Sequence, residues 1–102
     1  MDRITSLKDI LAQDPNNAFA RYSLGMEYSS RGEIDTALQE FSTLLSAHPD
    51  YTNGYFMAAQ TLARVDRNEE ARKMLQDGLE SARRTGNRHA ESEMQAMLDE
   101  LG

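Results

Sequence analysis

The sequence predicts an all-α protein in which antiparallel helix hairpins stack side by side. Three observations lead to this prediction: the sequence matches itself at a fixed period, its apolar residues recur at helical spacing, and no stretch shows the period-two alternation of a strand. The chain has 102 residues, of which 39% are hydrophobic. This length suits one domain with a modest core.

The self-match appears when the sequence is shifted by about 34 residues. Pro15 then falls on Pro49, and Ala37 falls on Ala71. Three further columns run through three copies, namely Leu7 with Phe41 and Leu75, Ile10 with Leu44 and Gly78, and Leu11 with Leu45 and Leu79. A fixed period of this kind is typical of a stack of similar helical units.

Apolar spacing and turn residues together predict six helices, at about 2–13, 17–31, 34–47, 51–65, 68–84 and 87–101. Pro15 and Pro49 stand just ahead of two of these helices, and Gly32 separates two others. An Asn or Asp follows each Pro, and we expect its side chain to accept a free amide at the start of the next helix.

Gly25 lies inside a predicted helix, where glycine costs about 1 kcal/mol relative to alanine. We expect packing to offset this cost. If helix 17–31 folds back on helix 34–47, small residues at Gly25 and Ala37 let the two helices approach closely. Ala59 and Ala71 repeat this pairing in the next copy.

The residues that carry this pattern resemble a tetratricopeptide repeat, a helix–turn–helix unit. In the first copy they are Leu24-Gly25, Tyr28, Gly32, Ala37, Phe41 and Pro49; in the second they are Tyr55, Ala59, Leu62, Glu70-Ala71 and Leu75. The resemblance covers about residues 3–84. It implies a right-handed superhelical stack of hairpins.

On this basis the chain divides into a partial repeat at 1–15, two repeats at 16–49 and 50–85, and a capping helix at 86–102. Three positions depart from the family pattern. Arg21 stands in a column that is often Trp, Gly78 replaces a larger residue, and Arg83 stands where a third Pro would fall.

Composition excludes several classes of function. The chain carries 11 basic and 17 acidic residues, a net charge of −6, and so lacks the basic surface expected of a nucleic-acid binder. It has no cysteine and no apolar run of membrane-spanning length. We therefore expect no membrane insertion and a cytoplasmic location.

Few residues could support catalysis or bind a metal. The histidines are His48, at a predicted helix end, and His89, which lies one turn from Glu93 and forms half a metal site. Nucleophile, phosphate-binding and dinucleotide motifs are absent from the sequence. We expect no enzymatic activity, no catalytic residue, no metal and no cofactor.

The resemblance implies a function in binding, because the first helix of each repeat usually lines a concave groove for a peptide or partner helix. The matching positions are Phe19, Tyr22, Ser23, Met26 and Ser30 in the first copy, and Asn53, Phe56, Met57, Gln60 and Arg64 in the second. Members that hold acidic chaperone tails have Lys and Asn in such columns, so no carboxylate clamp is expected here.

This aromatic and methionine-rich lining suits an apolar or amphipathic segment, with Tyr22 and Phe56 as anchors in an adaptor or chaperone-like protein. Two alternatives remain open. The C-terminal helix covers these residues itself, with Met94 or Met97 completing a core, or the incomplete N-terminal repeat pairs with another copy as a homodimer. The groove interpretation requires that Tyr22 and Phe56 are not fully buried under helix 87–101.

Overall fold

The computed structural model describes residues 2–102, which form six α-helices and no strand. The helices are α1 (Arg3–Gln13), α2 (Ala18–Ser30), α3 (Ile34–Ala47), α4 (Thr52–Arg64), α5 (Asn68–Thr85) and α6 (Arg88–Leu101). Each lies where the sequence predicted it, with ends that differ by at most one residue. The all-α prediction is confirmed.

Each helix packs on its neighbour in the chain, and α2, α4 and α6 also touch one another in succession. These three helices therefore form one layer, and α1, α3 and α5 form the other. The molecule is elongated, with extents of 40 × 29 × 19 Å. Within residues 2–102, no helix is long and apolar enough to cross a membrane.

The capping prediction is correct for one of the two predicted positions. Asn17 Oδ1 accepts a hydrogen bond from the amide of Ala20 at 2.9 Å, at the start of α2. Asp50 does not cap α4; its carboxylate instead accepts from Arg84 Nε at 2.8 Å. The N-cap residue of α4 is Tyr51, in the position that Asn17 holds in α2, so Asp50 lies one residue before the position from which a side chain caps the helix.

Helix α5 is longer than α3, with 18 residues against 14. It ends at Thr85, and the next residue, Gly86, has the left-handed conformation with φ of 68°, which lets the chain turn without a proline. Asn87 then caps α6 by accepting from the amide of Ala90 at 3.0 Å. The departure at Arg83 thus lengthens the repeat without disrupting the next helix.

Gly25 lies at the interface between α2 and α3, as expected. An aromatic ring from α3 fills the space that a side chain at this position would occupy. A Cβ at this position would lie 2.7 Å from Cε1 of Phe41, and its nearest neighbours are all atoms of that ring. Phe41 is buried together with Leu24, Tyr28, Ala37 and Leu44 in one core cluster. The glycine is therefore needed to seat Phe41, the largest fully buried side chain of that core.

Two other helical glycines have the same role. A Cβ on Gly54 of α4 would lie 2.9 Å from Leu45 Cδ2 of α3. A Cβ on Gly78 of α5 would lie 2.5 Å from the sulfur of Met94 in α6 and 2.7 Å from Tyr55 Cβ. Gly78, a departure from the repeat pattern, thus makes room for the residue that anchors the capping helix.

Arg21 and Tyr55, which share the column often held by Trp, contact equivalent atoms. Tyr55 Oη donates to the carbonyl oxygen of Pro49 at 2.8 Å, and Arg21 Nη2 donates to the carbonyl of Pro15 at 3.4 Å. Arg21 also pairs with Glu40 of α3 at 2.9 Å. Both side chains therefore tie the body of a helix to the turn that precedes it.

Gly25→Ala tests the fit of the Phe41 ring. Although alanine is the better helix former, we expect a net loss of about 1–2 kcal/mol in the free energy of unfolding, because the buried ring cannot move without repacking. Urea denaturation measures this loss. In a Phe41→Leu background the same change should cost less, since the clash is removed; an equal cost in both backgrounds would contradict this account.

Candidate functional site: a methionine-lined groove

A groove of about 530 Å³ opens where α2, α4 and α6 lie side by side. We call it the methionine groove. It is lined by Met26, Ser29 and Ser30 from α2, by Met57, Gln60, Thr61, Ala63 and Arg64 from α4, and by Met97 from α6. Most of its exposed lining is apolar, and each of the three helices contributes one methionine.

The three methionines form the apolar part of the groove. Met26 is 36% exposed, and Met57 and Met97 are half-buried. Methionine is unbranched and polarizable, so such a surface adapts to apolar side chains of different shapes. The groove can therefore accept an apolar ligand without demanding one fixed shape.

The floor of the groove is polar and fully hydrogen-bonded. Ser29 Oγ and Thr61 Oγ1 lie 2.8 Å apart and are buried between α2 and α4. Thr61 Oγ1 donates to the carbonyl of Met57 at 2.8 Å, so its proton is used there. It follows that Ser29 donates to Thr61, because each hydroxyl has only one proton.

Arg64 completes this network at the end of α4. Its Nη2 donates to the carbonyl oxygen of Ser29 at 3.0 Å and contacts Ser29 Oγ. A guanidinium has no acceptor, so the serine oxygen must accept. Its contacts with Ser29 therefore hold the exposed Arg64 in place across two repeats.

The structure brings five of the predicted lining residues together in the methionine groove: Ser30, Met26, Met57, Gln60 and Arg64. Phe56 lies beside it, in a neighbouring depression between α4 and α6 that also contacts Glu93 and Glu100. The two depressions share Gln60 and Met97. They form one continuous surface across the layer.

The other predicted residues lie elsewhere. Tyr22 packs against Tyr51, with ring centroids 5.2 Å apart, and against Phe41 at 6.4 Å. Burial, with a smaller effect of Tyr51, raises the pKa of the Tyr22 phenol above its ordinary value. Tyr22 and Phe56 are both half-buried. Neither is fully covered by α6, as the groove interpretation requires.

Ser23, Asn53 and Phe19 do not line the methionine groove. Ser23 is buried. Asn53 lies in a separate polar depression of about 310 Å³ near Asp50 and Asn87. Phe19 is 68% exposed, on the same face of α2 as Met26 but two turns away.

Sequence reasoning missed Ser29 and Thr61 as lining residues and treated Met97 only as a possible cover. Ser29 and Thr61 do not share a column of the repeat, so the self-match gives no signal for their contact. The apolar face of α6 indicated that Met97 would contact another helix. Which helix it contacts depends on how α6 docks on the rest of the structure. Met94 is fully buried and Met97 lies at the groove.

The histidines belong to no metal-binding cluster in the part of the chain that the structure describes. His89 Nε2 lies 2.9 Å from Glu93 Oε1 on the exposed surface of α6. His48 caps the C-terminus of α3. Residues 2–102 contain no group of three or more His, Cys, Asp or Glu side chains arranged to hold a metal ion.

Comparison with known proteins identifies the class. Two models of the tetratricopeptide repeat match the chain, one at residues 28–98 and one at residues 6–39. The chain is 28% identical over 98 residues to the TPR repeat-containing protein PA0015 of Pseudomonas aeruginosa, covering 96% of this chain and 93% of that protein.

Solved structures agree. A tetratricopeptide repeat domain protein from Salinibacter ruber superposes with a TM-score of 0.80 at 31% identity, over 86% of this chain and 89% of that one. Protein BPP2914 from Bordetella parapertussis gives a TM-score of 0.85 at 27% identity, over 99% and 88%. The chain belongs to the tetratricopeptide repeat family. Proteins of this family generally mediate protein–protein interactions and are generally non-catalytic.

The Ser29–Thr61 hydrogen bond gives a stability prediction. Thr61→Val keeps the shape of the side chain but leaves the buried Ser29 hydroxyl without its acceptor, so we expect a loss of about 1–2 kcal/mol in unfolding free energy. Ser29→Ala/Thr61→Val should cost less than the sum of the two single changes. Denaturant titration of the four proteins measures this coupling; strict additivity would show that the contact carries no energy.

Proposed function

We propose that this protein is a non-catalytic protein-interaction module that binds an apolar or amphipathic segment of a partner in the methionine groove. The observation that carries the proposal is the convergence of Met26, Met57 and Met97 from three helices onto one open groove. Exposed apolar surface of this kind, rimmed by polar residues, is typical of binding sites.

The position of α6 supports the same proposal. Its buried residues Ala90 and Met94 face α5 and α4, whereas Met97 lines the groove. The C-terminal helix therefore forms one wall of the site and leaves it open. We therefore propose an adaptor-like function, in which the groove selects the partner and no reaction is catalysed.

The test compares wild type with Met26→Gln/Met57→Gln in affinity capture from a lysate of the cells that make the protein. Glutamine is close to methionine in shape and uncharged, so it removes apolar character alone. We expect at least a tenfold loss of retention of a specific partner, equivalent to about 1.4 kcal/mol. Circular dichroism confirms that both proteins fold.

Ile10→Gln is the matched control, because Ile10 is an apolar residue of similar exposure, 44%, far from the groove on α1. It should retain the partner as wild type does. If the groove variant and wild type retain the same proteins equally, the groove is not the binding surface; if both variants lose the partner, its binding depends on the α1 end as well as on the groove.

Self-association is the second candidate, and the exposure of Ile10 favours it. The equivalent residue Leu44 is buried between α3 and its neighbours, whereas α1 packs only on α2. If this end pairs with a second copy, light scattering gives twice the monomer mass, and Ile10→Glu restores the monomer. A monomeric wild type at high concentration would exclude this candidate.

A further inference from the structure

We propose that the partner segment carries an Asp or Glu side chain that pairs with Arg64, next to the apolar residues that contact the three methionines. This inference rests on the proposed function and specifies the chemistry of the ligand. It is carried by the surroundings of Arg64, which differ from those of the other arginines.

The first step concerns charge. Every other arginine except Arg88 forms an ion pair with a carboxylate within residues 2–102. Arg64 forms none there, although acidic residues outnumber basic ones by 17 to 11. In so acidic a chain, an arginine without an acidic partner that lies in a groove is available to a carboxylate from outside.

The second step concerns geometry. The hydrogen bonds of Arg64 to Ser29 all use Nη2, so Nε and Nη1 keep their N–H groups for a ligand. Each of these groups can donate a charge-assisted hydrogen bond to an oxygen of a carboxylate. Because the Ser29–Thr61 network already holds the guanidinium, less side-chain entropy is lost on binding.

The third step concerns orientation. Glu93 and Glu100 line the neighbouring depression on the other side of Gln60 and Met97. They repel an acidic group there, and Arg64 attracts it at the opposite side of the surface. The acidic residue of the ligand should therefore lie toward α2, with apolar residues over the methionines and no acidic residue beside α6.

The fourth step distinguishes a side chain from a chain terminus. A terminal carboxylate brings its backbone amides with it, and burying these against methionine side chains without partners is costly. An Asp or Glu side chain reaches Arg64 on its own stem while the backbone stays at the open side. The ligand is thus an internal acidic residue and differs from an acidic chain terminus held in a clamp.

The test uses a phage-displayed library of random peptides of about 12 residues, which span about 40 Å when extended. The peptides are fused through their C-termini and so have no free terminal carboxylate. Selection on wild type should enrich an Asp or Glu beside apolar residues. Selection on Arg64→Glu should enrich Lys or Arg at that place instead. Arg88→Glu, the matched control outside the groove, should select the same peptides as wild type.

Calorimetry on a selected peptide then measures the pair directly. We expect Glu→Gln or Asp→Asn in the peptide to weaken binding to wild type about tenfold or more, and to leave binding to Arg64→Gln unchanged. Binding to wild type should also weaken as salt rises, more than binding to Arg64→Gln does. Equal losses with both proteins would overturn the pairing.

The remaining outcomes separate this inference from the proposed function. Peptides whose binding requires Met26 and Met57 but that show no enrichment of Asp or Glu would overturn the role of Arg64. The proposal that the methionine groove binds an apolar segment would still hold. A synthetic peptide whose affinity depends on its free C-terminus and not on an acidic side chain would overturn the inference as well. If no selected peptide depends on Met26, Met57 or Arg64, both proposals fail.

Discussion

The structure depends on seating one large side chain against a glycine at three of its helix crossings. Phe41 fills the space left by Gly25, Leu45 fills that at Gly54, and Met94 fills that at Gly78. Because protein interiors are close-packed, adding even a single methyl group at these positions forces a shift. Each crossing therefore fixes the position of the next helix, and the two core clusters are built from these contacts in succession.

The groove is a consequence of that packing. Once α3 and α5 hold α2, α4 and α6 in one layer, no helix of residues 2–102 covers the opposite face of this layer. The residues on this face are partly buried and partly exposed to solvent. Methionine suits such a surface because its unbranched side chain can adopt many shapes. The buried Ser29–Thr61 hydrogen bond then holds α2 against α4 at the floor of the groove.

Most charged side chains on the exterior are paired with each other. Exposed pairs such as Arg31 with Asp2 at 2.7 Å and Arg67 with Asp35 at 3.3 Å link one hairpin to the next. The hydrogen bond from Arg31 lowers the pKa of the Asp2 carboxyl. Such pairs are too exposed to contribute much stability, but within residues 2–102 they engage every arginine except Arg64 and Arg88. Arg64 is held by neutral oxygens instead, and so keeps its charge for the groove.

The sequence by itself determined the number of helices, their bounds to within a residue, and the stack, because period and apolar spacing are local signals that persist along the chain. The resemblance to the repeat family also predicted that Met26, Met57, Gln60 and Arg64 lie on one surface, and these residues line the methionine groove. Only the tertiary structure decided that Tyr22 packs on Tyr51, that Asp50 pairs with Arg84, and that Met94 fills the space at Gly78. Tyr22 with Tyr51 and Gly78 with Met94 lie in different columns of the repeat, whereas Asp50 and Arg84 hold the same column in successive copies. All three contacts depend on the rotation and offset between neighbouring helices, which are set by side-chain packing and not by periodicity.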